Sequence, residues 1–384
     1  MKILVRMPNW LGDSVLALPA LRAIAMNFPQ SEVWAAASSH TVELLASEPI
    51  VGGVLEIPEV MTLSDFIRTA KRWREHRFDL AILLTNSFGS ALLAALAAIR
   101  ARWGYTGDGR SLLLTKKVSR HSQPERRGLS GAKGESQQPA GRIQGSYLFE
   151  EEEVCHQSLY YLRLLRNLGL KVPDEPAISI SVINEDRESA RKQLASVGLD
   201  LKCLEAEKKP LILINPGAAY GPAKRWSAEK FGQVATNFEK QVGACAAIIG
   251  SAKEREIAQE VVEAAVASGA KEPPFILAGK TTLRELIGVM SLADLLVTND
   301  TGPMHLANAL RLPVVAIFGP TDPRVTRPWH EPYKILHNQV VCWPCWYREC
   351  PYDHRCMEAI GIEEVVNAGL ALLGQAPAGK DQDK

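Results

Sequence analysis

This chain of 384 residues carries almost no net charge: 44 Lys and Arg against 43 Asp and Glu leave +1 at pH 7. No global field points to nucleic acid, so any basic patch must be local. Long apolar runs are missing too. The longest, Ala91–Ile99, is about half the length a membrane span requires. The start, MKILVRMP, runs straight into a strand pattern without a signal-peptide signature. A cytosolic location is the expectation, and there the seven cysteines are reduced rather than bridged.

What is present is the balance of a folded chain, 46% hydrophobic and 23% charged, too long for one typical core and suited to two domains. Two halves begin alike. Lys2–Val5 is a short apolar strand, followed by the turn Arg6–Gly12 and an amphipathic helix over Asp13–Asn27. Leu211–Asn215 repeats the plan, with a loop Pro216–Arg225 and a helix Ala228–Gln241 capped by Ser227. Further apolar strands are read at Val33–Ala37, Leu80–Leu84, Ala244–Ile249, Phe275–Leu277, Leu295–Thr298 and Val314–Phe318. Fully apolar strands alternating with helices imply parallel sheets covered on both faces, with ligands at the carboxyl ends of the strands. The joint between domains falls near Val172–Pro176. Ser119–Ser146, with five basic and two acidic residues among Gly, Ser, Gln and Pro, reads as a mobile insertion, either a basic lid near anionic lipid or a tolerated surface loop.

Residues 294–323 are the most informative stretch. A buried strand leads through Asn299–Asp300–Thr301–Gly302 into a helix from Pro303 to Leu310, with Thr301 as N-cap and Pro303 in the first turn. Free backbone N–H groups at such a start form an anion seat. Asp300 and His305 beside it suit a phosphate joined to a hydroxyl-rich neighbour, as in a sugar nucleotide.

Three clusters join it. In Asn9–Trp10–Leu11–Gly12–Asp13–Ser14 the carboxylate of Asp13 is either an N-cap or a chemical group. Asn215–Ala218 with Lys224–Arg225 is either a diphosphate clamp or a solvated pair of cations. In Ile249–Gly250–Ser251–Ala252–Lys253–Glu254 the acid either accepts from ribose hydroxyls or simply favours the helix dipole.

Together these residues resemble the ADP-heptose:lipopolysaccharide heptosyltransferases, glycosyltransferase family 9. The matching stretches are RMPNWLGDSVLALPALRAI, NPGAAYGPAKRWSAEKF, TNDTGPMHLANAL, FGPTDP and CWPCWYRECPYDHRCM, and only Ser119–Ser146 and the tail fall outside the resemblance. It implies an α/β protein of GT-B fold, two Rossmann-like domains whose parallel sheets face a central cleft. On that expectation residues 1–172 bind the acceptor, residues 177–359 bind ADP-heptose, and a C-terminal helix, 360–375, packs back on the first domain. Asp13 matches the general base and Lys224 a lysine on the donor diphosphate. Asp300, Thr301, Gly302 and His305 match the donor site, with Glu254 on the ribose, while Asn9, Gly12 and Ser14 fall on the acceptor side. At Ala219–Tyr220–Gly221 the chain departs from relatives that carry hydroxyls there, so backbone must do more of the phosphate binding.

The implied reaction moves L-glycero-D-manno-heptose onto the inner core of lipopolysaccharide with inversion, the second heptose onto the first, on a heptosyl-Kdo-lipid A type acceptor. Charge building on the leaving phosphate is met by Lys224 and the helix start, and Asp13 takes the acceptor proton, so neither cofactor nor metal is called for. No nucleic-acid partner is implied, and the enzyme would touch the inner face of the cytoplasmic membrane only peripherally. Alternatives are a family member adding the first or a branch heptose, a sugar-nucleotide epimerase, and a non-catalytic nucleotide- or lipid-binding protein. The epimerase needs acid and base groups on both faces of one sugar, and Asp13 together with Lys224 and Asp300 argues against the non-catalytic reading. Cys342, Cys345, Cys350 and Cys356, with His354 nearby, have a spacing compatible with structural zinc. Only the first pair is tight, so the favoured reading is thiols packed as small hydrophobes around Trp343, Trp346 and Tyr347.

Overall fold

The structure, a computed structural model, describes residues 1–119 and 155–375. Past its first residue, the insertion expected at 119–146 lies outside them. Two parallel six-stranded sheets dominate. The first runs β3-β2-β1-β4-β5-β6, with β1 Lys2–Arg6, β2 Glu32–Ser38, β3 Gly53–Ile57, β4 Leu80–Leu83, β5 Ala101–Tyr105 and β6 Lys116–Val118. The second runs β12-β11-β10-β7-β8-β9, with β7 Leu211–Asn215, β8 Cys245–Ile248, β9 Phe275–Ile276, β10 Leu295–Asn299, β11 Val314–Phe318 and β12 Tyr333–His337. In each sheet the chain steps outward over three strands and returns beside the first. The order therefore reverses between β1 and β4, and between β7 and β10. Crevices outside the carboxyl ends of such strands hold ligands in open α/β sheets. That geometry places the loops after β1, β7 and β10 where chemistry is expected.

The central strands are the apolar ones: β7, β10 and β11 are buried at every position. The unforeseen strands, β3, β5, β6 and β12, lie in the outer half of a sheet and are only partly buried. Their polar residues break the apolar run that marks a doubly covered strand.

The helix Leu11–Asn27 was expected to be amphipathic. Instead it is buried on nearly every side, from Gly12 through Leu21 apart from Asp13. The reason is its position: it packs against Gln157–Asn167 of its own domain and also against Gly302–Ala309 of the other. Further ties cross between the halves. The His156 ring Nε2 lies 3.0 Å from the Arg327 carbonyl, and the Glu43 carboxylate accepts from the backbone of Leu283 at 3.1 Å.

The C-terminal helix Ile362–Gln375 does not pack back on the first domain as expected. Val365, Val366 and Leu372 are buried with Phe238 and Leu295, against the second sheet and the helix Ala228–Val242. A Cβ at Gly369 would lie 2.4 Å from Phe238 Cζ and 2.9 Å from Leu295 Cδ2. Gly369→Val should therefore destabilise the second domain by about 1–3 kcal/mol through overpacking, read from urea unfolding. An unchanged midpoint would mean that this helix face does not rest on the second sheet.

Candidate active site

The loop after β7 is built around a buried asparagine at the end of β10. Asn299 Nδ2 donates to the carbonyls of Pro216 at 2.9 Å and Gly217 at 3.2 Å, and its Oδ1 accepts from the Trp226 N–H at 3.1 Å. One side chain thus holds both ends of the loop that carries Lys224. From there Lys224 Nζ forms an ion pair with the Asp300 carboxylate and also donates to the Asp300 carbonyl at 3.3 Å. Asp300 accepts in addition from the hydroxyls of Thr321 at 2.8 Å and Thr326 at 3.3 Å. Burial alone would raise the pKa of Asp300, but Lys224, His305 and Thr321 outweigh it and hold the group below the ordinary carboxylate value.

Thr301 stands at the N-cap of Gly302–Ala309, yet its side chain makes no cap. Its hydroxyl instead accepts at 2.8 Å from Nδ2 of Asn215, which ends β7 in register with Thr298 and also donates to the Thr298 hydroxyl at 3.0 Å. The helix start is therefore without a side chain of its own over its N–H groups, the arrangement that suits an external anion. Pro303 lies in the first turn as expected.

This start meets the corresponding start in the first domain. Gly302 would place a Cβ 3.2 Å from Leu11 Cβ and 3.4 Å from the Gly12 nitrogen. A Cβ on Gly12 would lie 2.6 Å from His305 Cδ2. Gly12 is thus an interdomain contact. Asp13 sits one residue on, half-buried in the first turn, and the N-cap position belongs to Trp10. The N-cap reading of Asp13 falls. Ser14 is corrected as an acceptor contact: it is fully buried and donates to the Pro8 carbonyl at 2.9 Å. Asn9 is exposed, and its side-chain oxygen accepts from Arg6. Arg6 is a residue that the sequence reading missed. Buried at the end of β1, it donates to the carbonyls of Met7 and Ala36, which shapes the turn leading to Asp13. Burial lowers its pKa to about 10. Thr321 and Thr326 were also missed, although the FGPTDP stretch held the first of them.

Glu254 lies at the end of the loop after β8. Its Oε2 accepts from the Ser251 N–H at 2.7 Å and from the Ser251 hydroxyl at 2.9 Å, a capping box. A Cβ on Gly217 would collide with Oε1, so the acid also reaches the loop that holds Lys224. The capping role is present, and the second oxygen lies against Gly217.

The four cysteines converge on one small cavity of about 10 Å³, lined also by Ala223, Pro320 and His354. All are free thiols. Burial raises the pKa of Cys345, and raises that of Cys356 to about 11. Among the described residues no group of three or more His, Cys, Asp or Glu is arranged to hold a metal.

Two parallel-sheet α/β domains that meet at two helix starts have the architecture of the GT-B fold. A family profile described as glycosyltransferase family 9 (heptosyltransferase) matches residues 66–128 and 146–355, and the chain belongs to that family. It is similar to lipooligosaccharide heptosyltransferase 2 of Campylobacter jejuni, at 28% identity over 97% of this chain and 98% of that one. It is also similar to lipopolysaccharide heptosyltransferase 2 of Salmonella typhimurium, at 28% identity over 88% of each. The solved structure of Escherichia coli ADP-heptose lipopolysaccharide heptosyltransferase II superposes with a TM-score of 0.75, at 25% identity over 98% of this chain and 99% of that one.

Removing Lys224 should expose the burial cost of Asp300. Lys224→Met should lose about 3–5 kcal/mol at pH 7, the penalty for leaving a buried charge unpaired. In the wild type the Asp300 contribution is full above the ordinary carboxylate pKa and is lost as pH falls through the depressed native value. In the variant burial is far less opposed, so the native pKa rises and acidification relieves the cost. The stability gap, from urea unfolding at pH 7 and pH 5, should narrow; a constant gap would mean that the pair carries no such coupling. Purified protein should hold less than about half an equivalent of zinc by metal analysis. Stoichiometric zinc that leaves on replacing Cys342 and Cys345 would overturn the packing account.

Proposed function

We propose that this chain is an inverting heptosyltransferase that moves heptose from ADP-heptose onto the inner core of lipopolysaccharide, the second heptose onto the first. The observation that carries the reading is the meeting of Gly12 with Gly302 and His305. It brings a half-buried carboxylate, Asp13, to the helix start and the Lys224–Asp300 pair that suit a leaving diphosphate. A base on one side and leaving-group stabilisation on the other are what a single inverting displacement needs. Family membership supports the heptosyl donor, and the names of the heptosyltransferase 2 relatives support the second-heptose position.

In this reading Asp13 takes the proton from the acceptor hydroxyl as it attacks the anomeric carbon. Lys224 and the N–H groups at Gly302 meet the charge that gathers on the diphosphate, and Glu254 accepts from the ribose. Asp300 and His305 sit behind Lys224 and the helix start, so they position these groups as well as border the sugar. No helix of the described residues is long and apolar enough to cross a membrane, so contact with a membrane-bound acceptor would be peripheral.

The deciding experiment supplies ADP-heptose with acceptors carrying no heptose or one heptose, and the second should be used. Turnover only on the first would reassign the position within the family. Asp13→Asn keeps the shape and loses the base. Its kcat should fall by ~10²–10⁴ while ADP affinity stays nearly constant. Activity within a factor of a few of wild type would remove Asp13 from the mechanism.

A further inference from the structure

The cysteine-rich segment does more than fill space, because it holds the phosphate loop from behind. Tyr220 donates its hydroxyl to the Trp346 carbonyl at 2.7 Å, and the Ala223 N–H donates to the Arg348 carbonyl at 2.9 Å. The His354 ring Nε2 lies 2.7 Å from the Ala223 carbonyl. A Cβ at Gly221 would lie 2.4 Å from the Arg348 carbonyl oxygen, so only glycine lets the two loops approach this closely. The same segment reaches the other side of the site: the N–H groups of Cys345 and Trp346 donate to the Pro320 carbonyl, and Trp343 Nε1 donates to the carbonyl of Thr321. Thr321 in turn donates to Asp300. Both members of the Lys224–Asp300 pair are thus braced by one loop.

That loop also carries a charge. The Arg348 guanidinium lies 5.3 Å from the centroid of the Tyr220 ring, and Lys224 Nζ lies 5.1 Å from the same centroid. Two cations therefore share one half-buried aromatic ring beside the loop after β7. Their situations differ. Lys224 is nearly buried and already paired with Asp300, so much of its charge is cancelled before any ligand arrives. Arg348 is exposed, and among the described residues no carboxylate forms an ion pair with it. A diphosphate carries more negative charge than a half-neutralised lysine and a helix start can offset. Arginine also offers a planar fork that grips two phosphate oxygens while its face stays on an aromatic ring.

We propose that Arg348, lying over the Tyr220 ring and presented by the cysteine-rich loop, is a second cation for the diphosphate of the donor. The inference rests on the reading of this crevice as the donor site. Replacing the side chain leaves in place the main-chain carbonyl that Ala223 uses, so the brace itself survives in the variants.

Calorimetric titration of wild type, Arg348→Ala and Arg348→Lys with ADP and with adenosine tests it. Arg348→Ala should bind ADP about 10–100-fold more weakly, the worth of a charge-assisted hydrogen bond, with adenosine affinity and thermal midpoint unchanged. Arg348→Lys, which keeps the charge without the fork, should recover part of the loss. Wild-type ADP affinity in Arg348→Ala, or an equal loss for adenosine, would overturn the second-cation role and leave the donor site standing. Failure of the wild type to prefer ADP over adenosine would instead sink the reading of the crevice itself.

Discussion

Burial of the Asp300 carboxylate is the constraint around which the second domain is arranged. A desolvated charge is tolerable only with a close partner and further hydrogen bonds. Lys224 must therefore reach Asp300 from the loop after β7, and Thr321 and Thr326 must reach it from beyond β11. Those demands fix three loops at the carboxyl edge of one sheet. Asn299, also buried, adds the pins to Pro216, Gly217 and Trp226 that keep the longest of them in place. The lysine is thus held before a donor arrives, and no ordering of a mobile side chain is needed when charge develops on a leaving phosphate.

A second constraint acts between the domains. Gly12 and Gly302 stand where two helix starts touch, and neither position has room for a side chain without displacing His305 or Leu11. Close approach of two helix N-termini sums two partial positive ends in one place. It also sets Asp13, half-buried in the first turn of the first of those helices, beside their meeting point. Arg6 shapes the turn that leads there through its bonds to the Met7 and Ala36 carbonyls and to Asn9.

The fold was legible wherever strands are buried on both faces. β1, β7, β10 and β11 are runs of aliphatic residues, and each appears within a residue of where the sequence placed it. β6 and β12, Lys116–Val118 and Tyr333–His337, were not legible, since an outer strand exposes polar side chains and loses the apolar run. Tertiary context overrode local pattern twice. Leu11–Asn27 is covered by a helix from each domain, which its sequence alone does not announce. The C-terminal helix packs on the second domain, where Val365, Val366 and Leu372 are buried and Gly369 lies close over Phe238 and Leu295.

The site was legible in its chemistry but less so in its geometry. Asp300, Lys224 and the Thr301–Gly302 helix start were recognisable because each combines a charge or an unfilled helix start with the end of an apolar strand. Ser14 was misplaced for the converse reason. A hydroxyl near a helix start satisfies backbone as readily as ligand, and here the carbonyl of Pro8 takes it. Glu254 shows both outcomes in one residue, with one oxygen capping Ser251 and the other turned to the Gly217 loop. Long-range partners such as Thr321 and Arg348 carry no local signature, since what defines them is a contact made across many residues of chain. The physical distinction is therefore one of competition. A polar residue at a strand end serves a ligand only where the backbone has not already claimed it, and that is settled by the packing of loops rather than by the order of residues.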